Sequence, residues 1–209
     1  MSLRKDKAAR LKLAVLEQTI KLIGKKPFDD LYVEDICDKV KISKVTLFKY
    51  FATKEDILSY YFRVWCLKRV VELREKPKEG LQGIFHIFDK LSEDMELHPG
   101  IILGLISYLS NPKRPFKPFP IKAEEKKFLF PSVADIQSVE IQSLDQMFEK
   151  FALEAIFRKE ITKATSTRDV TNVLNTLFYG GAVTAHLSQT GSLRMFLRRQ
   201  VEMALKGVQ

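Results

Sequence analysis

Apolar residues in this chain recur three and four positions apart almost from end to end, and that spacing constrains the fold more than any other feature. A helix turns once in about 3.6 residues, so this spacing lines one face of a helix. Leu11, Val15, Leu16, Thr19, Ile20, Leu22 and Ile23 show it near the start. Leu193, Phe196, Leu197, Val201, Ala204 and Leu205 show it near the end. No sustained period-2 run is bounded by Asn-Gly or Asp-Gly turns, so no strand is expected. The chain is expected to be all-α.

Caps and breakers divide the pattern. The first helix is expected from about Lys7 to Ile23, ended by Gly24 and Pro27. A short one follows over Val33 to Val40, with Asp29 or Asp30 as its cap, and a third, capped by Ser43, over Lys44 to Phe51. Thr53 caps a fourth, which reaches about Glu75 before Pro77. Longer helices are expected over Leu81 to Met95, Ile101 to Leu109, Ser132 to Arg158, Ser166 or Thr167 to Leu187, and from Gly191-Ser192 onward. Between them, Asn111 to Pro131 holds five of the eight prolines and reads as a long connection. The division expected is residues 1–53 as one domain and 54–209 as another.

Composition narrows the class. The 209 residues carry 45% hydrophobic and 29% charged side chains, which is ordinary for a folded domain. Two cysteines, Cys37 and Cys66, cannot build a disulfide scaffold. No apolar run approaches the ~20 residues that span a bilayer, and the N-terminus lacks the apolar stretch of a secretory signal. A cytoplasmic protein without membrane association is therefore expected. No Gly-rich phosphate loop, nucleophile elbow or metalloprotease motif occurs, and His86, His98 and His186 have no zinc-like spacing. Neither enzymatic activity, nor a cofactor, nor a metal is expected.

Charge is unevenly placed. The net charge is +9, and five lysines (39, 41, 44, 49 and 54) fall between Lys39 and Lys54 with no acidic residue among them. This cluster coincides with two short helices joined by a tight turn, the second capped by Ser43. That is a helix-turn-helix pattern. The major groove of DNA admits one helix, whose first residues meet base edges while flanking lysines and hydroxyls neutralise phosphates. The fold class expected is thus an N-terminal three-helix DNA-binding domain with a helix-turn-helix, followed by a C-terminal helical bundle.

The residues make this more specific. Val33-Glu34-Asp35-Ile36-Cys37, then Ile42-Ser43-Lys44-Val45-Thr46-Leu47-Phe48-Lys49-Tyr50-Phe51, then Lys54-Glu55-Asp56-Ile57-Leu58 follow one another without a gap. The segment from Val15 to Leu58 resembles the DNA-binding domain of the TetR family of bacterial repressors. The resemblance implies that Ser43, Lys44 and Thr46 meet bases and phosphates at the start of the recognition helix. It implies that Val45, Phe48 and Lys49 lie along the groove, and that Tyr50 and Lys54 form a phosphate clamp. Departures stand out: Lys41 and Val45 replace glycines usual in the family, Phe48 replaces a tyrosine, and Tyr32 replaces a Ser/Thr phosphate contact.

The resemblance also implies a homodimer that reads a near-palindromic operator, and a small-molecule effector. Gly181, Ala185, Leu193, Phe196, Leu197 and Val201 in the last two helices are the dimerisation candidates. Tyr61, Trp65, Phe85, Phe88, Tyr108, Met147, Phe151 and Phe178 are candidates to line a pocket for an apolar or amphipathic effector, or else are ordinary core. The function expected is ligand-responsive transcriptional regulation, most simply repression by steric occlusion of a promoter. Two other readings stay open on sequence alone: a DNA-binding regulator controlled by a protein partner, and a helical enzyme or lipid carrier whose basic face is incidental.

Overall fold

The computed structural model describes residues 3–113, 118–161 and 166–206. Among them are ten α-helices and no strand: α1 (Leu3–Ile23), α2 (Val33–Val40), α3 (Lys44–Tyr50), α4 (Asp56–Glu75), α5 (Gly80–Leu97), α6 (Pro99–Leu109), α7 (Ala123–Leu129), α8 (Leu144–Phe157), α9 (Thr167–Leu187) and α10 (Leu193–Lys206). Two short 3-10 turns, Phe28–Asp30 and Ile136–Ser138, interrupt the connections. The chain divides into two compact units, residues 1–65 with 98–141 and residues 66–97 with 142–209.

The first unit is built on α1. Its buried stripe is Ala9, Lys12, Val15, Leu16, Thr19 and Ile23, at helical spacing, and Gly24 ends it in the left-handed region at φ +49°. Ile36, Leu47, Phe51, Ile57 and Tyr60 complete the core and are fully buried. Each such side chain withdrawn from water contributes about 1.5–3 kcal/mol. The expected cap from Asp29 or Asp30 is absent: both lie in the 3-10 turn, and Tyr32 takes the N-cap position of α2 without a side-chain bond. Thr53 and Asp56 exchange caps at the entry to α4, Thr53 N–H donating to Asp56 Oδ2 (2.9 Å) and Asp56 N–H to Thr53 Oγ1 (3.3 Å). Gly100 and Gly104 let α6 lie against this core. A Cβ at Gly100 would sit 1.9 Å from the Lys26 carbonyl oxygen, and one at Gly104 would sit 2.6 Å from Phe28 Cβ.

The turn between α2 and α3 is strained at one residue. Lys41 adopts φ 60°, ψ 48°, and the N–H groups of Lys41 and Ile42 both reach the Cys37 carbonyl. A side chain in this conformation costs roughly 1–2 kcal/mol, partly offset because glycine also loosens the unfolded chain. Lys41→Gly is therefore expected to stabilise the protein by about 1 kcal/mol, read as a higher urea midpoint with an unchanged slope. A lower midpoint would show that the turn does not hold this conformation.

The second unit packs α5, α8, α9 and α10. Phe88, Phe148 and Phe178 form an aromatic centre with ring centroids 5.6–6.2 Å apart. Gly83 makes room for the Phe151 ring, and Gly181 for Leu197. Asp89 accepts from both Arg194 and Arg198, each with two N–H groups, which fastens α10 to α5. Burial raises the Asp89 pKa, but the hydrogen bonds from Arg198 and Arg194 outweigh it and hold the carboxyl below its usual range.

Two expectations about helices fail. Ser132 to Arg158 is not one helix; α8 begins at Leu144, and Val139 and Ile141 are buried in extended chain before it. The cause is a capping box in which Ser143 Oγ accepts from Gln146 N–H (3.1 Å) and Gln146 Oε1 accepts from Ser143 N–H (2.8 Å). The connection over 111–131, for which no helix was expected, contains α7; residues 114–117 of it lie outside the described residues.

Candidate nucleic-acid interface

Ser43 starts α3 by accepting the Thr46 N–H at 3.1 Å, and the two hydroxyls hydrogen-bond at 2.9 Å. Leu47 and Phe51 point into the core of the first unit, both fully buried. This leaves the other side of α3 to solvent. Lys44, Val45, Phe48 and Lys49 are exposed, with Thr46 and Tyr50 half-buried. Val45 is 82% exposed and Phe48 43%, while Tyr32 at the start of α2 is 68% exposed. These apolar side chains stand in water on a short helix held in place by its buried Leu47. Beside lysines, such groups suit the thymine methyls and sugars of a groove.

The lysines differ in availability. Lys49 is exposed, with no acidic partner among the described interactions. Lys44 pairs with Glu34 on α2, and that pairing holds the Glu34 carboxyl below its ordinary pKa. Glu34 therefore competes with any phosphate for Lys44. Glu34→Gln is expected to tighten duplex binding several-fold, by releasing the lysine and removing a negative charge from the face. Fluorescence anisotropy on a labelled duplex measures it, and weaker binding would contradict the role. Lys54 is committed differently. Its ammonium donates to the carbonyls of Phe28 (3.1 Å), Asp29 (3.4 Å) and Leu31 (3.0 Å) and lies 4.7 Å from the Phe28 ring centroid. These contacts brace the entry of α4 against the 3-10 turn.

A second cluster was not anticipated from the sequence. Lys12 and Glu125 form a buried ion pair, Nζ to Oε1 3.0 Å, with side chains 9% and 1% exposed. Glu125 Oε2 accepts the Lys122 main-chain N–H at 2.9 Å. The Lys12 ammonium lies 5.4 Å from the Tyr60 ring centroid and 5.0 Å from that of Phe119. Phe51, Tyr60 and Phe119 pack as an aromatic trio with centroids 5.2–5.5 Å apart. Burial, and then the neighbouring Glu125 carboxylate, push the Tyr60 phenol well above its usual pKa. Arg10 lies 4.4 Å over the Phe128 ring, and Lys126 Nζ donates to the carbonyls of Val139 (2.7 Å) and Gln137 (3.2 Å). The segment around α7 is thereby seated on α1 and on the end of α3. The sequence signal was available: Lys12 falls three residues before Val15 and four before Leu16, on the apolar stripe of α1, where a lysine requires a buried partner.

The effector candidates fall into two groups. Tyr61, Trp65 and Tyr108 belong to the first unit. Tyr61 and Trp65 are buried there, and Tyr108 is half-buried. Phe85, Phe88, Met147, Phe151 and Phe178 belong to the second; all but the half-buried Phe85 are buried, and Phe88 and Phe178 are closed against Phe148. The Arg198 guanidinium lies 5.3 Å from the Phe85 ring centroid. A separate cleft of about 810 Å³ opens in the first unit between α1 and the segment 124–138, lined by Arg10, Phe128, Phe130 and Ile136 among others.

The dimerisation candidates are also divided. Gly181, Ala185, Leu197 and Val201 are buried within the second unit, and Leu193 and Phe196 are half-buried. Apolar or small exposed positions on these helices include Val173, Thr176, Gly180, Thr184 and Leu187 on α9 and Met195 and Met203 on α10, among charged exposed neighbours such as Arg168, Asp169, Arg199 and Glu202. Nothing lies within 4 Å of a Cβ built on Gly180. Among the described residues no group of three or more His, Cys, Asp or Glu is placed to hold a metal, and no helix is long and apolar enough to cross a membrane. Cys37 and Cys66 are both buried and outside any disulfide, and burial pushes the Cys37 thiol up.

Residues 15–61 match the family model for bacterial regulatory proteins of the tetR family. No curated protein gives a significant match to the chain. Among solved structures, the chain is similar to a TetR transcriptional regulator from Rhodococcus sp. RHA1, with TM-score 0.56 and 13% identity, covering 95% of this chain and 96% of that one. It is also similar to the reduced form of E. coli NemR, with TM-score 0.59 and 11% identity, covering 95% and 97%. At these identities the likeness is one of fold.

Proposed function

We propose that this chain, a TetR-family transcriptional regulator by its DNA-binding domain and its fold, binds a near-palindromic operator as a homodimer and is released from it by a small effector. The observation that carries the reading is the exposed face of α3. Val45, Phe48, Lys44 and Lys49 stand free of the core that Leu47 and Phe51 enter. Thr46 and Ser43 lie at the start of that helix, where base edges are met. Tyr32 lies beside it and Tyr50 ends it, both suited to sugar and phosphate contacts, and Lys54 holds the support of the face in place. Occupation of a promoter by the bound dimer gives repression without any chemistry.

One such helix offers few contacts, and pairing doubles them. We assign the pairing to the exposed stripe of α9, Val173, Thr176, Gly180, Thr184 and Leu187, with Met195 and Met203 of α10. Gly180 and the two threonines allow close approach, and the apolar ends supply burial. The buried Gly181, Ala185, Leu197 and Val201 hold the two helices together beneath that stripe. The effector is an apolar or amphipathic small molecule, which acts by favouring a conformation that no longer fits both half-sites.

NemR is described in a reduced form. Thiol control is not part of this reading, because both cysteines here are buried and the Cys37 thiol is shifted away from reactivity.

Selection of bound duplexes from a random library tests the proposal. It is expected to return two related half-sites of opposite orientation. Light scattering is expected to give about twice the chain mass of 24.1 kDa. A monomeric mass, or no enriched sequence, would sink the reading.

A further inference from the structure

Beside the end of α3 lies a concavity of about 360 Å³ that the helix-turn-helix alone does not make. Its walls include Lys49 and Tyr50 from α3, Arg4 and Lys5 from α1, and Lys122 and Glu124 from the segment at α7. With Lys12 and Glu125 at the same site, five cations face two carboxylates. The Lys12–Glu125 pair is internally neutralised, 3.0 Å apart and buried. Arg4, Lys5, Lys49 and Lys122 are exposed, and Glu124 is the one opposing charge left.

We propose that this concavity is a subsite for a backbone phosphate of the bound duplex, and that Lys122, about 60 residues beyond the matched DNA-binding segment, is a DNA contact. The inference rests on the reading of the chain as a duplex-binding regulator. Three features support it. Lys49 and Tyr50 already belong to the face of α3 that meets DNA, so a strand crossing that face passes the concavity. The cations converge from three separate stretches of chain on one small hollow, the arrangement that an extended polyanion requires. Lys122 is also held in place: Phe119 packs on Phe51 at 5.3 Å on one side, and Glu125 pairs with Lys12 on the other. A cation on an anchored main chain loses less freedom on contact than one on a loose loop. The Lys122 side chain itself is exposed, and its structural bond is made by its main-chain N–H.

The test measures duplex affinity against salt for the full chain, comparing wild type with Lys122→Ala, Glu124→Gln and Lys206→Ala, the last a lysine outside the concavity. A lost phosphate contact makes the plot of log affinity against log salt shallower by about 0.9 per subunit. Lys122→Ala is expected to show that change, with operator and scrambled duplex weakened alike, so the specificity ratio stays. Glu124→Gln is expected to bind tighter, and Lys206→Ala to match wild type. Equal slopes for wild type and Lys122→Ala overturn the assignment. So does loss of inorganic phosphate binding in Lys122→Ala with an unchanged duplex slope, which would make the hollow a site for free phosphate. A wild-type chain that binds no duplex refutes the underlying reading instead. Thermal unfolding of Lys122→Ala at the wild-type temperature excludes a folding artefact.

Discussion

Glu125→Ala is expected to destabilise the protein by about 3–5 kcal/mol, the usual cost of removing one partner from a buried ion pair. The carboxylate is 1% exposed, and Lys12 depends on it at 3.0 Å. Truncation leaves an ammonium facing the Tyr60 and Phe119 rings, which attract a cation but cannot replace its counter-ion or its water. It also removes the acceptor of the Lys122 N–H. The loss is mostly a penalty for an unpaired charge. The double variant Lys12→Met, Glu125→Leu should therefore recover most of it, since two apolar side chains need no partner. Urea unfolding monitored by circular dichroism reads both. A loss below about 1 kcal/mol for Glu125→Ala would mean that the α7 segment is not seated on α1 in solution.

Val45→Glu carries the largest functional effect. Val45 is 82% exposed on α3, so the change costs the fold little. On the duplex it sets a carboxylate against phosphates and base edges. Like charges brought together in this way cost several kcal/mol. About 3 kcal/mol corresponds to roughly a 100-fold loss of affinity. The expected result is near-wild-type thermal stability with operator binding weakened about 100-fold. Unchanged binding would place the DNA interface elsewhere on the molecule.

The helix-turn-helix was legible because its signals are local. Ser43 caps α3 as expected, and α2 runs over Val33–Val40 with Lys41 in the left-handed turn that a glycine would fill without steric cost. The limits of α9, with Ser166 as its cap, are equally local. The failures were of two kinds. Five prolines masked α7, a seven-residue helix whose stability comes from contacts with α1, more than a hundred residues away in sequence. The apolar period of α8 continues backward through Ile141 in the sequence, and only the reciprocal capping box of Ser143 and Gln146 marks where the helix begins. In the site, Lys44, Val45, Phe48 and Lys49 of the α3 candidates are exposed, but charge alone does not separate Lys49, which is open to solvent, from Lys54, whose ammonium is bound by three carbonyls. Residue type also does not tell a pocket wall from a packed core. Phe88, Met147, Phe151 and Phe178 are all buried in the second unit.

The central claim is that the face of α3 reads DNA sequence. The measurement that meets it most directly is the affinity of the wild-type chain for its selected duplex against a scrambled duplex of the same composition, at two salt concentrations. Base contacts from Thr46 and its neighbours predict a preference on the order of 1000-fold or more, typical of specific regulators. Raising the salt should lower both affinities while largely preserving that preference. Equal affinity for the two duplexes, falling together with salt, would contradict the claim and leave only a basic helical surface.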